Sequence, residues 1–132
     1  MTKLIYFKGF WTVTDVQNRP EYLFIYGDNN AKIGKKGQAI IRSEPNTMGI
    51  PTKRYPTNAL RSFYSDVDYK DNCKRIKEAI NKIIEESATY EAIVFPENGF
   101  GTGLADLQNK APETYAYLQK AIAYVITQLE GD

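Results

Sequence analysis

Residues 22–26 (YLFIY) form an unbroken apolar run that stops abruptly at Gly27-Asp28-Asn29-Asn30. A run with no polar alternation is the pattern of a strand buried on both faces, as inside an α/β sheet. A glycine-rich basic loop follows, Ile33-Gly34-Lys35-Lys36-Gly37, and then residues 38–42 (QAIIR), enough for one or two helical turns. A second short strand is predicted over 47–50. It ends in Pro51-Thr52-Lys53, since proline cannot continue a central ladder. Strand, polar loop, helix start, strand and lysine is an order that suits a phosphate-bearing ligand. A glycine loop exposes several backbone N–H groups to one anion.

The rest of the chain supplies the other wall of such a pocket. Residues 4–13 (LIYFKGFWTV) read as a strand interrupted at Gly9 by a bulge or a close approach, and 14–20 as a connection. Residues 69–87 read as the clearest helix, with Tyr69, Cys73, Ile76, Ile80, Ile83 and Ile84 on one face and lysines and glutamates on the other. Asp66 or Asp68 is the expected cap of its start. Residues 92–95 (AIVF) are another short buried strand, running through Pro96 into a second loop, Gly99-Phe100-Gly101-Thr102-Gly103. Residues 111–129 form the last helix, with Pro112 and Glu113 suited to its first turn. Its apolar stripe is wide, which means deep packing on a sheet or a self-association surface; a homo-oligomer through this helix is thus one reading.

Strands and helices alternate with short connections, and no linker or repeat interrupts them. The expected fold is a single domain, 1–132, of the α/β class. It has three layers, with a mostly parallel sheet and helices on both faces. The N-terminal strand is a candidate antiparallel edge. In such sheets ligands sit beyond the carboxyl ends of the strands. Both glycine loops and the Thr52–Lys53 pair fall at such ends.

Composition narrows the chemistry. The 132 residues carry a net charge of +1, so no overall basic field draws nucleic acid, and any anion site has to be local. There is no histidine and one cysteine, Cys73. Histidine triads, histidine bases, disulfide frameworks and cysteine or histidine metal sites are all excluded, so neither a metal nor a cofactor is expected. No apolar run approaches the roughly 20 residues that span a bilayer, and no signal peptide is read at the N-terminus, so a cytoplasmic protein without membrane partners is expected. Ten tyrosines and six phenylalanines fill cores, but aromatic rings also stack on bases.

Each candidate residue has a functional and a plain reading. The first loop is not a P-loop, because Gln38 rather than a lysine follows Gly37. Its amides near Gly34 and Gly37 are candidates to hold a diphosphate, with Asp28 or Asn29 on a base or ribose; the plain reading is a surface turn. The second loop is a second phosphate or ribose cradle, to which Thr102 adds a hydroxyl and Asp106 a nearby carboxylate, or a flexible turn. Lys53 pairs with phosphate or acts chemically if burial depresses its pKa, or it is solvated. Arg54 divides the same way, and Lys35 and Lys36 are solvated or general anion attractors rather than specific ligands. Tyr55, Phe63, Tyr64 and Phe100 are stacking candidates or core. Glu97 is a carboxylate at a strand end or plain surface.

These motifs, in this order, resemble the macro-domain superfamily, nearest the branch of terminal ADP-ribose protein glycohydrolases and the antitoxins that remove ADP-ribose from DNA. The residues that carry the likeness are Gly27-Asp28-Asn29, Gly37-Gln38-Ala39, Thr52-Lys53 and Gly101-Thr102-Gly103-Leu104 with Asp106. The chain also looks like a group of small bacterial and phage proteins with the same GDN…GQA…PTK…GTGL pattern. The resemblance implies a cleft for an ADP-ribose-type nucleotide. In it the Gly34–Gly37 and Gly99–Gly103 loops hold the diphosphate and distal ribose, and Lys53 faces that ribose with Asp106 nearby. It further implies cleavage of an ADP-ribosyl bond, with Lys53 attacking the anomeric carbon or orienting the substrate and Asp106 transferring a proton. Nucleic acid would then be a partner only as an ADP-ribosylated substrate. The rival reading is a sponge without turnover that sequesters a cyclic nucleotide or cyclic ADP-ribose immune signal, as a phage anti-defence protein would. The likeness is incomplete, because in the enzymes the aspartate directly follows the leucine and here Ala105 intervenes.

Overall fold

The computed structural model describes residues 2–102 and 105–130. Its centre is a sheet of β1 (Lys3–Phe7), β2 (Tyr22–Asn29), β3 (Thr47–Lys53) and β4 (Ala92–Pro96). The strands lie in the order β1-β4-β2-β3 and every pairing is parallel. The N-terminal strand is therefore a parallel edge, against the antiparallel edge that the sequence suggests. The chain crosses from β1 to β2 through the helix α1 (Val13–Gln17) instead of turning back.

That helix also corrects the reading of residues 4–13 as one strand. β1 stops at Phe7, and a capping box starts α1. The Thr12 hydroxyl accepts from the Asp15 N–H at 3.2 Å, while Asp15 accepts from the Thr12 N–H at 2.7 Å. This pair satisfies two otherwise orphaned donors, which the β-propensity of Phe10, Trp11 and Val13 does not outweigh.

Alternate residues of the strands divide into two apolar layers. On one face Leu23, Ile25, Ile93 and Phe95 meet α2 (Tyr69–Ser87) and α4 (Pro112–Glu130) through Ile76, Ile80, Ile83, Leu118 and Val125. On the other, Phe24, Tyr26 and Val94 meet Trp11, Val16 of α1 and Ile41 of a 3₁₀ turn, Gly37–Ile41. The three-layer α/β arrangement follows directly from this two-sided burial. The stripe of α4 packs on α2 and β1, with Tyr124 left exposed. Pro51 lies inside β3 rather than ending it; β3 is an edge strand, where a missing N–H leaves no central ladder broken.

Neither Asp66 nor Asp68 bonds the start of α2. Asp68 holds the N-cap position without a side-chain bond. Asp66 instead caps α4, accepting from the Glu113 and Thr114 amides at 2.9 Å each and from the Thr114 hydroxyl at 2.8 Å. Asn72 extends the tie by donating to the Ser65 carbonyl and the Thr114 hydroxyl. The segment between β3 and α2 is thereby fastened to the far end of the chain. Burial acts to raise the Asp66 pKa, but these three donors outweigh it and hold the carboxyl below its ordinary value. A lowered carboxyl pKa contributes stability that is present above the unfolded value and lost as pH falls through the folded one. Asp66→Ala is therefore expected to cost about 1–2 kcal/mol at neutral pH. Urea unfolding should show the gap to the wild type closing below about pH 4. An equal gap at both pH values would contradict the cap.

Candidate functional site

The carboxyl ends of all four strands lie at one end of the sheet, and Gln38 joins the loops that leave them. Its side-chain carbonyl accepts from the Gly27 N–H at 2.7 Å, and its amide donates to the Gly99 carbonyl at 3.0 Å. One side chain thus spans the end of β2 and the loop after β4. Its own backbone is fixed by Trp11, whose indole N–H donates to the Gln38 carbonyl at 3.0 Å. Trp11 in turn packs edge-on against Phe7 and Phe24. Beside this bridge the buried Thr52 donates to the Asp28 carbonyl at 3.3 Å. The two glycine loops of the sequence are neighbours, as the strand order requires.

Lys53 closes β3 and is 8% exposed. Its ammonium donates to the Thr57 carbonyl at 2.8 Å and lies 4.5 Å from the centre of the Phe63 ring. The ammonium of Lys110, on the short helix α3 (Leu107–Lys110), lies 5.1 Å from the same ring centre. Lys53 forms no ion pair with a carboxylate among the described residues. Burial pushes its pKa down, and the charge of Lys36 pushes it down further. In the free chain that charge costs stability, and the cost is relieved as pH rises through the lowered pKa. Lys36, Lys53 and Lys110 together make a local positive centre in a chain of almost neutral net charge.

The remaining candidates divide between this centre and structural duties. Asp28 is engaged by Arg42 at 2.5 Å and accepts from the Asn29 N–H at 2.7 Å. Arg42 also donates to the Gly34 and Ile33 carbonyls. Asn29 donates to the Ile33 carbonyl at 2.8 Å, and its own side-chain carbonyl is buried without a donor. These contacts fasten the first glycine loop to the end of β2. Lys35 and Gly37 are exposed, and Gly37 opens the 3₁₀ turn. The exposed Arg54 reaches Asp68 at 3.7 Å. Phe100 is core, edge-on to Phe95 at 5.5 Å. Gly101 is a close approach, since a Cβ there would lie 2.9 Å from that of Leu107. Thr102 is exposed and donates to the Asn98 carbonyl. Gly103 lies outside the described residues. The Asp106 carboxylate accepts from the Asn109 amide at 2.7 Å. Glu97 accepts from the Gly9 N–H at 2.6 Å.

Of the stacking candidates, Tyr64 is buried and donates to Asn30 at 2.5 Å, and Phe63 lies between two ammonium groups. Tyr55 is 45% exposed. Sequence reasoning missed Lys110, because a four-residue helix has no periodicity to mark it. It also missed Arg42 as the partner of Asp28, although a basic residue ending the QAIIR turn was visible. Among the described residues no group of three or more His, Cys, Asp or Glu is placed to hold a metal, and no helix is long and apolar enough to cross a membrane.

The fold and site thus define a parallel α/β domain with a cationic centre at the carboxyl end of its sheet. Residues 6–121 match a family of unknown function, DUF7831, and the chain belongs to that family. No curated protein and no solved structure matches it.

Gln38→Glu keeps the acceptor for Gly27 and removes the donor to Gly99. The substitution is expected to cost about 1–3 kcal/mol and to speed hydrogen exchange at the Gly99 and Gly101 amides. Unchanged exchange in that loop would show that the bridge does not hold it.

Proposed function

We propose that this domain binds a phosphate-bearing nucleotide of the ADP-ribose type at the loop end of its sheet. The observation that carries the proposal is Lys53, a buried cation with no carboxylate partner among the described residues, flanked by Lys36 and Lys110. An uncompensated buried charge is unfavourable until an anion meets it. Two ammonium groups on one aromatic ring, with the charge of Lys36 acting on one of them, suit a diphosphate better than a single carboxylate. The macro-domain likeness supplies the ADP-ribose class, and it implies further donors among the glycine-loop amides other than that of Gly99, which bonds the Pro96 carbonyl. A cytoplasmic setting, in which a lone Cys73 stays reduced, suits such a ligand.

Holding the ligand fits this geometry better than cleaving it. Asp106 would be the proton-transfer group of a glycohydrolase, but one oxygen of its carboxylate already accepts from Asn109. Lys53 would be the nucleophile, but its ammonium already donates to the Thr57 carbonyl, a bond that an anion held by its remaining N–H groups need not break. This favours sequestration of a signalling nucleotide, such as a cyclic dinucleotide or cyclic ADP-ribose, with ADP-ribosyl hydrolysis as the alternative.

Thermal unfolding with ADP-ribose, cyclic ADP-ribose, cyclic dinucleotides and NAD tests the reading. A ligand at 100 times its Kd stabilises the fold by about 2.7 kcal/mol. Ligand recovered intact after denaturation supports sequestration, and a cleaved glycosidic bond supports hydrolysis. Lys53→Met should abolish the ligand shift while raising the stability of the free chain by roughly 0.5–2 kcal/mol, since it removes an unpaired buried charge. No shift with any of these nucleotides overturns the proposal.

A further inference from the structure

A different part of the molecule, the free edge of β3, carries an inference independent of the nucleotide reading. The Phe24 N–H donates to the Asn46 carbonyl, and Phe24, Tyr26 and Asp28 stand opposite Thr47, Gly49 and Pro51. In a parallel ladder the residue that bonds the neighbouring strand alternates with one that faces away. Thr47, Gly49 and Pro51 thus turn their backbone groups outward, and among the described residues no further strand covers them. They offer the N–H groups of Thr47 and Gly49 and three carbonyls, with Pro51 ending the donor row.

A cavity of about 400 Å³ follows this edge, and it does not include Lys53, Gln38 or Gly99. Its walls come from both faces of the sheet. Tyr26 and Arg42 stand on one side, and Ala79 and Lys82 of α2 on the other, with Met48 and Gly49 between them. A groove that straddles an edge in this way suits an extended chain, whose successive side chains point to opposite faces. A side chain at position 49 would collide with Asp28, 2.7 Å from the Cβ it would carry, so this stretch of edge requires the glycine.

Charge defines the occupant. Arg42 is paired with Asp28 and Arg75 with Asp71, whereas Lys32 and Lys82 are exposed and form no ion pair among the described residues. Lys32 holds a left-handed backbone, φ 57°, which costs energy in a non-glycine residue. Glu78 is the cavity's carboxylate that forms no ion pair among the described residues, so cations predominate. Asn29, in the same wall and 7% exposed, has a side-chain carbonyl without a donor. We propose that the β3 edge is a docking groove for an extended acidic peptide of roughly five residues, which adds as a fifth strand and sets its carboxylates against Lys32 and Lys82.

Selection of a random heptapeptide library on the immobilised full chain tests this. The expected result is enrichment of acidic sequences with small or β-branched residues between the carboxylates. A fluorescein-labelled peptide of the enriched sequence should bind about tenfold or more weakly to Lys32→Glu/Lys82→Glu. It should slow hydrogen exchange at the Gly49 amide and lose binding when N-methylated at alternate residues. No enrichment, enrichment without acidic bias, or undiminished binding of the N-methylated peptide overturns the proposal. Displacement of the peptide by pyrophosphate at equal concentration would do the same, because it would make the groove a small-anion site.

Discussion

Four strands pointing the same way deliver every strand-to-helix loop to one end of the molecule, and that end has to be closed by side chains rather than by a ladder. Gln38 does much of this. Its carbonyl and amide groups satisfy one backbone group on each side of the gap between β2 and the loop after β4. Trp11 fixes Gln38 from below, which links the packing of the lesser core to the position of both glycine loops. On the other side the segment after β3 is held by Lys53 to Phe63 pairing, by Tyr64 to Asn30 and by the Asp66 cap on α4. The strap over Lys53 is therefore a fastened part of the structure, tied at points far apart in sequence.

The elements with strong periodicity or unbroken burial were legible in the sequence. The runs at Tyr22 and Ala92 and the face of α2 carry enough apolar pattern to specify strand or helix without tertiary context. The helix α1 was not, because its residues favour strands and its helical state depends on one Thr12–Asp15 capping box. The parallel sense of β1 was not legible either, since handedness of connection is a property of the assembled sheet. Within the site, the alternation of elements put both loops at carboxyl ends of strands, and the strand order makes them neighbours. What each polar side chain does once there did not. Asp28 and Asp106 look like open carboxylates in the sequence, but one is held by Arg42 and the other by Asn109. Phe100 looks like a stacking ring and is core.

Lys53 is the exception to this pattern of committed side chains. A buried ammonium with one carbonyl acceptor and a ring face, next to other lysines, is poorly compensated by its own protein. Structural roles for lysine normally leave its charge in water or against a carboxylate. The open edge of β3 is a comparable loose end, in backbone rather than side-chain terms. The two features stand on separate groups, and the ligands proposed for them differ accordingly, a compact anion for one and an extended chain for the other.

The central claim is that Lys53 is poised for an anion, and side-chain NMR titration of its Cε resonance reads this directly. In the free chain Lys53 should titrate below an ordinary lysine, because burial and Lys36 both disfavour its charged form. Saturation with ADP-ribose should move the midpoint upward, since an adjacent anion favours the ammonium. A midpoint at the ordinary lysine value that ADP-ribose leaves unmoved would contradict the account.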